Sequence, residues 1–208
     1  MKVLVIGATG PTGRLVLDRA VQAGDTVTVL VRRPEALDQL SSQITVLGGD
    51  PTSATDLAAA MTDQDVVIST LGRGRSMGAT DLFSRAAAAM VSAAQQAGTS
   101  RIVWLSSFGA GETYRSATFL QKLMYSTFLR AVYADKSASE RLLRASDLDL
   151  TLVYPTTLTH KSGTGTYRSG EHVPMKGAPT ISREDVAHFL HSAATSLEWN
   201  RRDAVITD

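Results

Sequence analysis

Apolar positions along the chain gather in short β-branched runs, separated by longer stretches with helical spacing. The runs are Lys2 to Ile6, Thr26 to Val31, Ile44 to Leu47, Val66 to Ser69, Arg101 to Leu105, Leu150 to Val153 and Ala204 to Thr207, and each reads as a buried strand. Between them, Arg14 to Ala23, Asp56 to Met61 and Thr80 to Ala97 carry the periodicity of helices, and Gly24 and Gly98 stand where a helix C-cap favours glycine. Strand followed by helix, repeated, forces parallel pairing through right-handed crossovers, because each helix must carry the chain back before the next strand starts. The expected fold is α/β, a doubly wound parallel sheet of Rossmann type. A single domain is expected over residues 1–208, since a chain of 208 residues suits one core and is short for two.

In such a sheet ligands bind at the carboxyl ends of the strands. The positions to inspect are therefore Gly7 to Gly13, Arg32 and Arg33, Asp50, Leu71 and Gly72, Ser106 and Ser107, and the stretch Tyr154 to Thr157 that contains Pro155. The first of these, Gly7-Ala8-Thr9-Gly10-Pro11-Thr12-Gly13, is GxxGxxG rather than the GxGxxG of the dinucleotide fingerprint. The physics is shared: without Cβ atoms the backbone N–H groups can approach a pyrophosphate, and the helix N-terminus adds partial positive charge. Thr9 and Thr12 can add hydroxyl donors. The bland alternative, a tight turn whose glycines serve packing, is weakened because the motif follows directly on a β-branched strand.

The second strand bears on the nucleotide. NAD sites usually end that strand with an acidic residue for the ribose 2′-hydroxyl. Here it is followed by Arg32-Arg33-Pro34, with no carboxylate until Glu35, while Asp25 lies before the strand, at the wrong end. Guanidiniums there suit a 2′-phosphate, so NADPH (NADP) is the expected cofactor. Asp50 can accept from the adenine amino group or cap the helix that follows it. Leu71 and Gly72 would cover the adenine and its ribose, or form an ordinary turn.

Composition narrows the classes. Hydrophobic residues make up 43%, charged residues 20%, and the formal charge is +1, which calls for neither nucleic acid nor an anionic membrane. With no cysteine, disulfides, thiolate nucleophiles and Cys-ligated metals are out. No apolar run approaches a membrane span and no signal peptide is expected at MKVLVIGATG, so the expected address is cytoplasmic. His160, His172, His188 and His191 form no defensible ligand cluster in the sequence, and no metal is expected. A monomer or weak dimer acting on a small-molecule substrate is the expected state.

Taken together, GATGPTG, VTVLVRRP, GGDP, STLG, WLSS and ISREDVAHFL resemble the atypical short-chain dehydrogenase/reductase group, and within it the small proteins related to biliverdin reductase B, also called flavin reductase. The likeness covers nearly the whole chain in order. It implies phosphate contacts from Gly7, Thr9, Gly10, Pro11 and Thr12, a 2′-phosphate contact from Arg32, and adenosine contacts from Asp50, Pro51, Leu71 and Gly72. It also implies that Ser107 sits beside the nicotinamide. The larger family places Tyr and Lys on one helix as YxxxK, which this chain lacks: the residues four beyond its tyrosines are Thr118, Leu129, Ser137, Leu158 and Glu171. Tyr133 and Lys136, an i,i+3 pair sharing a helix face, are the nearest approach, the alternative being a surface tyrosine beside a solvated lysine. In related proteins a lysine after the fifth strand reaches the nicotinamide ribose, which is the role the resemblance implies for Lys136. Where biliverdin reductase B carries a histidine after its sixth strand, this chain has Pro155-Thr156-Thr157.

Two stretches, 108–129 and 156–180, follow strands on the nicotinamide side and are the expected walls of a substrate pocket. Ser182-Arg183-Glu184-Asp185 reads as a helix N-terminus with structural charges. Two functional classes follow. One is a reductase that delivers a hydride to a planar conjugated acceptor, whose proton can come from water. The other is a catalytically silent redox sensor acting through a partner, which the missing YxxxK favours. A nucleotide-sugar epimerase or dehydratase is a weaker third.

Overall fold

Strand β1 (Lys2–Ile6) shows in five residues how the sheet is built. Its side chains alternate between faces, Val3 and Val5 entering one hydrophobic core and Leu4 and Ile6 the other. Burial on both faces is what a parallel strand covered by helices on each side requires. The protein is described here from a computed structural model, over residues 1–40, 42–72, 81–110, 130–175 and 177–208.

The described elements run β1, α1 (Pro11–Gln22), β2 (Thr26–Val31), a 3-10 segment (Pro34–Leu40), β3 (Thr45–Gly48), α2 (Ala54–Met61), β4 (Val66–Ser69), α3 (Leu82–Ala97) and β5 (Arg101–Leu105). They continue with α4 (Arg130–Arg144), β6 (Asp149–Pro155), β7 (Thr157–Thr159), β8 (Arg168–Gly170), β9 (Thr180–Ser182), α5 (Arg183–Thr195) and β10 (Asp203–Thr207). The main sheet has the order β3-β2-β1-β4-β5-β6-β10-β8, parallel throughout except for β8 at its edge. Strands β7 and β9 pair separately. Helices α1 and α5 pack together on one face, α2, α3 and α4 on the other. The doubly wound sheet read from the sequence is therefore the fold observed. The segment 156–180, expected to wall a substrate pocket, holds β7 and β8 and ends on the first residue of β9. Among the described residues no helix is long and apolar enough to cross a membrane.

Sequence order reverses between β1 and β4, which lie side by side although β2 and β3 come between them in the chain. The connections leave in opposite directions there, and a crevice opens at the carboxyl ends of the two strands.

Helix α4 is unusual in what it buries: Asp135, Lys136, Ser139, Glu140 and Leu143. Asp135 spans the gap to α3, accepting from the backbone N–H groups of Phe83 and Ser84 at 2.8 and 3.0 Å and from the Ser84 hydroxyl at 2.6 Å. It takes the place of an N-cap that the local Asp81 side chain does not make. A charge-assisted cap on a buried helix end is strong, so Asp135→Ala is expected to lower the unfolding free energy by about 2–4 kcal/mol in urea. Asp135→Asn should recover part of that loss.

Candidate functional site

The crevice is floored by the Gly-rich turn. Gly7 has φ +82°, a conformation open to glycine at little cost, and its carbonyl accepts the Gly10 N–H at 2.9 Å. A Cβ on Gly13 would lie 2.1 Å from the Gly7 carbonyl oxygen and 2.6 Å from the Thr70 hydroxyl, so this glycine lets α1 start against the turn. Gly10 is the N-cap of α1, Pro11 follows it, no side chain caps the helix, and the first turn holds no acidic residue. The positive end of α1 therefore stands open toward the crevice, the arrangement that receives phosphate.

Around the turn lies a cavity of about 530 Å³ whose walls include Gly7, Thr9, Gly10, Pro11 and Thr12, Arg32 and Arg33 from the end of β2, and Pro51, Leu71 and Gly72. Ser106, Ser107 and Lys136 line it on the β5 side. Thirteen sequence positions are thus brought to one wall system from six parts of the chain. A second, larger cavity of about 650 Å³ lies between α4 and residues 171–175. Its arginines are already answered by carboxylates, Arg144 by Asp203, Arg201 by Asp149 at 2.9 Å and Arg202 by Glu171 at 2.8 Å, so it is the poorer receptor for a nucleotide.

Three expected site residues stand outside the cavity walls. Asp50 is exposed and its carboxylate accepts from the Thr52 N–H and hydroxyl at 2.8 and 2.9 Å. These bonds hold it below the usual carboxylate range, desolvation opposing them and the cations Arg32 and Arg85 assisting. It does not cap α2: Ser53 does, accepting from Asp56 N–H at 3.2 Å. Pro155 is built into β6, its backbone paired with Ile206, and Leu158 lines the cavity instead. Tyr133 places its hydroxyl 3.4 Å from the Phe108 carbonyl oxygen. Of the expected wall 108–129, residues 111–129 lie outside the described residues.

Lys136 is 9% exposed, its ammonium 4.7 Å from the centroid of the Phe83 ring. Burial pushes it down to about 8, with the charges of Glu140 and Asp135 pulling the other way. Glu140, one turn further along α4 and 2% exposed, went unnoticed in the sequence. It accepts from the Ser106 hydroxyl at 2.5 Å and from the Tyr154 hydroxyl at 3.0 Å. Burial raises Glu140 above the ordinary carboxylate value, against the pull of those two hydrogen bonds and of Lys136 and Arg144. Tyr154 in turn accepts from Arg144 at 3.1 Å. The spacing of Lys136, Glu140 and Arg144, each one turn apart on a single face of α4, was the available signal.

The two histidines of α5 have hydrogen-bond partners within the fold. His191 Nε2 is 2.7 Å from Asp25, which also accepts from the N-terminal amine at 2.8 Å, and His188 Nδ1 is 2.7 Å from the Tyr167 hydroxyl. Both are structural. Among the described residues no group of three His, Asp or Glu could hold a metal ion. Ser182 caps α5 as its spacing suggests, accepting from Asp185 N–H at 2.9 Å. Arg183 departs from the expectation of purely structural charges, because it lines the cavity.

Residues 7–196 match the profile of a family described as NAD(P)H-binding. The chain belongs to that NAD(P)H-binding family. An open helix N-terminus and a glycine turn in the crevice are the features such a family needs, and they are present here on independent geometric grounds. The chain is 30% identical over 218 residues to the Bacillus subtilis protein YhfK, named an uncharacterized sugar epimerase, covering 100% of this chain and 94% of that one. It is 27% identical over 202 residues to the Saccharomyces cerevisiae protein YMR090W, covering 91% and 85% of the two chains. Among solved structures, ChuY of Escherichia coli O157:H7, described as an anaerobillin reductase, superposes with a TM-score of 0.83 at 26% identity over 99% of this chain and 96% of that one. The NAD(P)H-binding assignment agrees with the resemblance drawn from the sequence motifs.

Proposed function

We propose that the protein is an NADPH-dependent reductase that passes a hydride to a planar conjugated acceptor of the flavin, quinone or tetrapyrrole kind. The observation that carries this reading is the polarity of one cavity: two guanidiniums at the end of β2, and at its β5 side a buried ammonium beside two serine hydroxyls. In this reading Arg32 and Arg33 take the 2′-phosphate, the turn from Gly7 to Thr12 takes the pyrophosphate, and Pro51, Leu71 and Gly72 cover the adenosine. The bound cofactor would supply the hydride. Ser107 orients the carboxamide or the acceptor. Ser106, fixed by Glu140, shapes the β5 side of the cavity. Lys136, protonated near neutral pH, holds the nicotinamide ribose and can release a proton toward the reduced acceptor, which removes the need for the YxxxK tyrosine. The likeness to an anaerobillin reductase supports the same class.

The test begins with fluorescence titration of NADPH and NADH. Arg32→Ala is expected to weaken NADPH by about 10- to 100-fold, the loss of one or two charge-assisted hydrogen bonds, and to leave NADH within about threefold. Equal losses for both nucleotides would remove the 2′-phosphate role. An acceptor screen with flavins, quinones and biliverdin then reads net NADPH oxidation.

The likeness to a protein named as a sugar epimerase favours one other reading, in which the cofactor is returned to its starting oxidation state within each turnover. That reading predicts no net NADPH consumption with any acceptor. A redox sensor predicts the same, together with no chemical turnover of any sugar nucleotide.

A further inference from the structure

The cavity carries one cation that the roles above leave unused. Arg183 is the first residue of α5 and lines the cavity alongside Leu158 of β7. Its Nη1 donates to the Thr159 carbonyl at 3.2 Å, and Thr159 is the last residue of β7. Strand β6 ends at Pro155, at the carboxyl edge of the sheet, and β7 carries the chain onward from that edge. A guanidinium tied to the end of β7 therefore stands in the wall of the cavity that the Gly-rich turn also lines.

The carboxylates beside it in sequence are committed elsewhere. Glu184 accepts from the Gly163 N–H at 2.7 Å. Asp185 accepts from the Thr164 and Gly165 N–H groups at 3.1 and 2.9 Å and from the Ser182 hydroxyl at 2.7 Å. Among the described residues Arg183 has no carboxylate at ion-pair distance. The phosphates of a dinucleotide already have the open end of α1 and the two arginines after β2. What remains is a part-buried planar fork of donors, mostly uncommitted, in the cavity wall and bonded to the strand that follows β6, and such a fork is matched by an anionic oxygen group.

We propose that Arg183 selects an anionic acceptor, binding a carboxylate, phosphate or sulfonate carried by the molecule that takes the hydride. This rests on the reductase reading of the same cavity and adds the charge class of its substrate.

Two probe pairs test it, each sharing a redox ring and differing in an anionic group: FMN with riboflavin, and 1,4-naphthoquinone-2-sulfonate with 1,4-naphthoquinone. Dissociation constants are measured by calorimetry on the protein saturated with NADP⁺, for the wild type, Arg183→Gln and Arg183→Lys. In at least one pair the wild type is expected to bind the anionic member about tenfold more tightly, as a charge-assisted bond at a part-buried site allows. Arg183→Gln should abolish that preference, Arg183→Lys should retain part of it, and affinity for NADP⁺ should stay within about twofold in both. The proposal is overturned if neither anionic probe is preferred, if the preference survives in Arg183→Gln, or if NADP⁺ binding falls instead, which would assign the cation to the cofactor. NADPH oxidation is followed in parallel: an Arg183-dependent preference without oxidation sinks the reductase reading and leaves the anion site standing.

Discussion

Gly13→Ala is expected to abolish nucleotide binding and to leave little folded protein, whereas Gly10→Ala should fold and lose binding alone. The difference lies in what each added methyl would meet. On Gly13 it would sit 2.1 Å from the Gly7 carbonyl oxygen and 2.7 Å from its carbon, whereas on Gly10 the nearest atom is that same oxygen at 3.3 Å. Backbone at 2.1 Å does not yield as a flexible side chain would. The Gly7 carbonyl is held by the Gly10 N–H, and a Cβ on Gly7 would itself be 2.8 Å from the backbone of Thr70, so the turn is trapped between α1 and the end of β4. Relief requires moving α1 away from β1, against a core that includes Val16, Leu17 and Ala20. Overpacking of this severity costs about 3 kcal/mol or more, a large part of a typical domain's stability. At Gly10 the methyl projects beside the open helix end and obstructs close approach of a phosphate. Thermal unfolding and NADPH titration on both variants separate the two roles. A Gly13→Ala protein that melts and binds like the wild type would contradict the packing account.

The same contrast explains what could be read from the sequence. Strands β1, β2, β4, β5 and β10 are continuous β-branched runs because both of their faces are buried, so pattern and structure coincide to within a residue or so at their ends. The Gly-rich turn was legible because glycine at fixed spacing after such a strand marks a tight strand-to-helix connection. Strands β7, β8 and β9 were not legible, being three residues each in a stretch rich in Gly, Thr and Ser whose pairing depends on partners far along the chain. Helix α4 hid its part for a different reason. Of its inward charges only Lys136 drew notice in the sequence, and only the third dimension shows that Asp135 and Glu140 are buried beside it, Asp135 holding the start of α3 and Glu140 holding Ser106 and Tyr154. Arg183 was masked by a good capping pattern: Ser182 and Asp185 do cap α5, and the arginine between them serves another purpose.

The second large effect is expected at that inward face, where Lys136→Met should lower the rate of NADPH oxidation by about 100-fold, the usual worth of a positioned acid, and Glu140→Gln should move its pH dependence. Lys136 sits at about 8 because burial disfavours its charge, and Glu140 and Asp135 partly restore it. If the ammonium is the working form, the wild-type rate falls as pH rises through about 8. Removing the Glu140 charge removes the larger of the two restoring influences, so the fall should begin at lower pH in Glu140→Gln, while Lys136→Met should lose it. Stability gives a check that needs no turnover. The unfolded chain binds more protons at Lys136 than the folded one between about 8 and the ordinary 10.5, so folding is favoured as pH rises across that window. Glu140 acts oppositely: its raised folded value means that its contribution is fully present below the ordinary 4.5 and is lost as pH rises through the folded value. Glu140→Gln should therefore lack the loss of stability above 4.5, and its Lys136 window should widen downward from about 8. Urea midpoints between pH 5 and 10 read both. Unchanged profiles in Glu140→Gln would mean that the carboxyl serves only to fix Ser106 and Tyr154, and that Lys136 takes its charge state from Asp135 and burial alone.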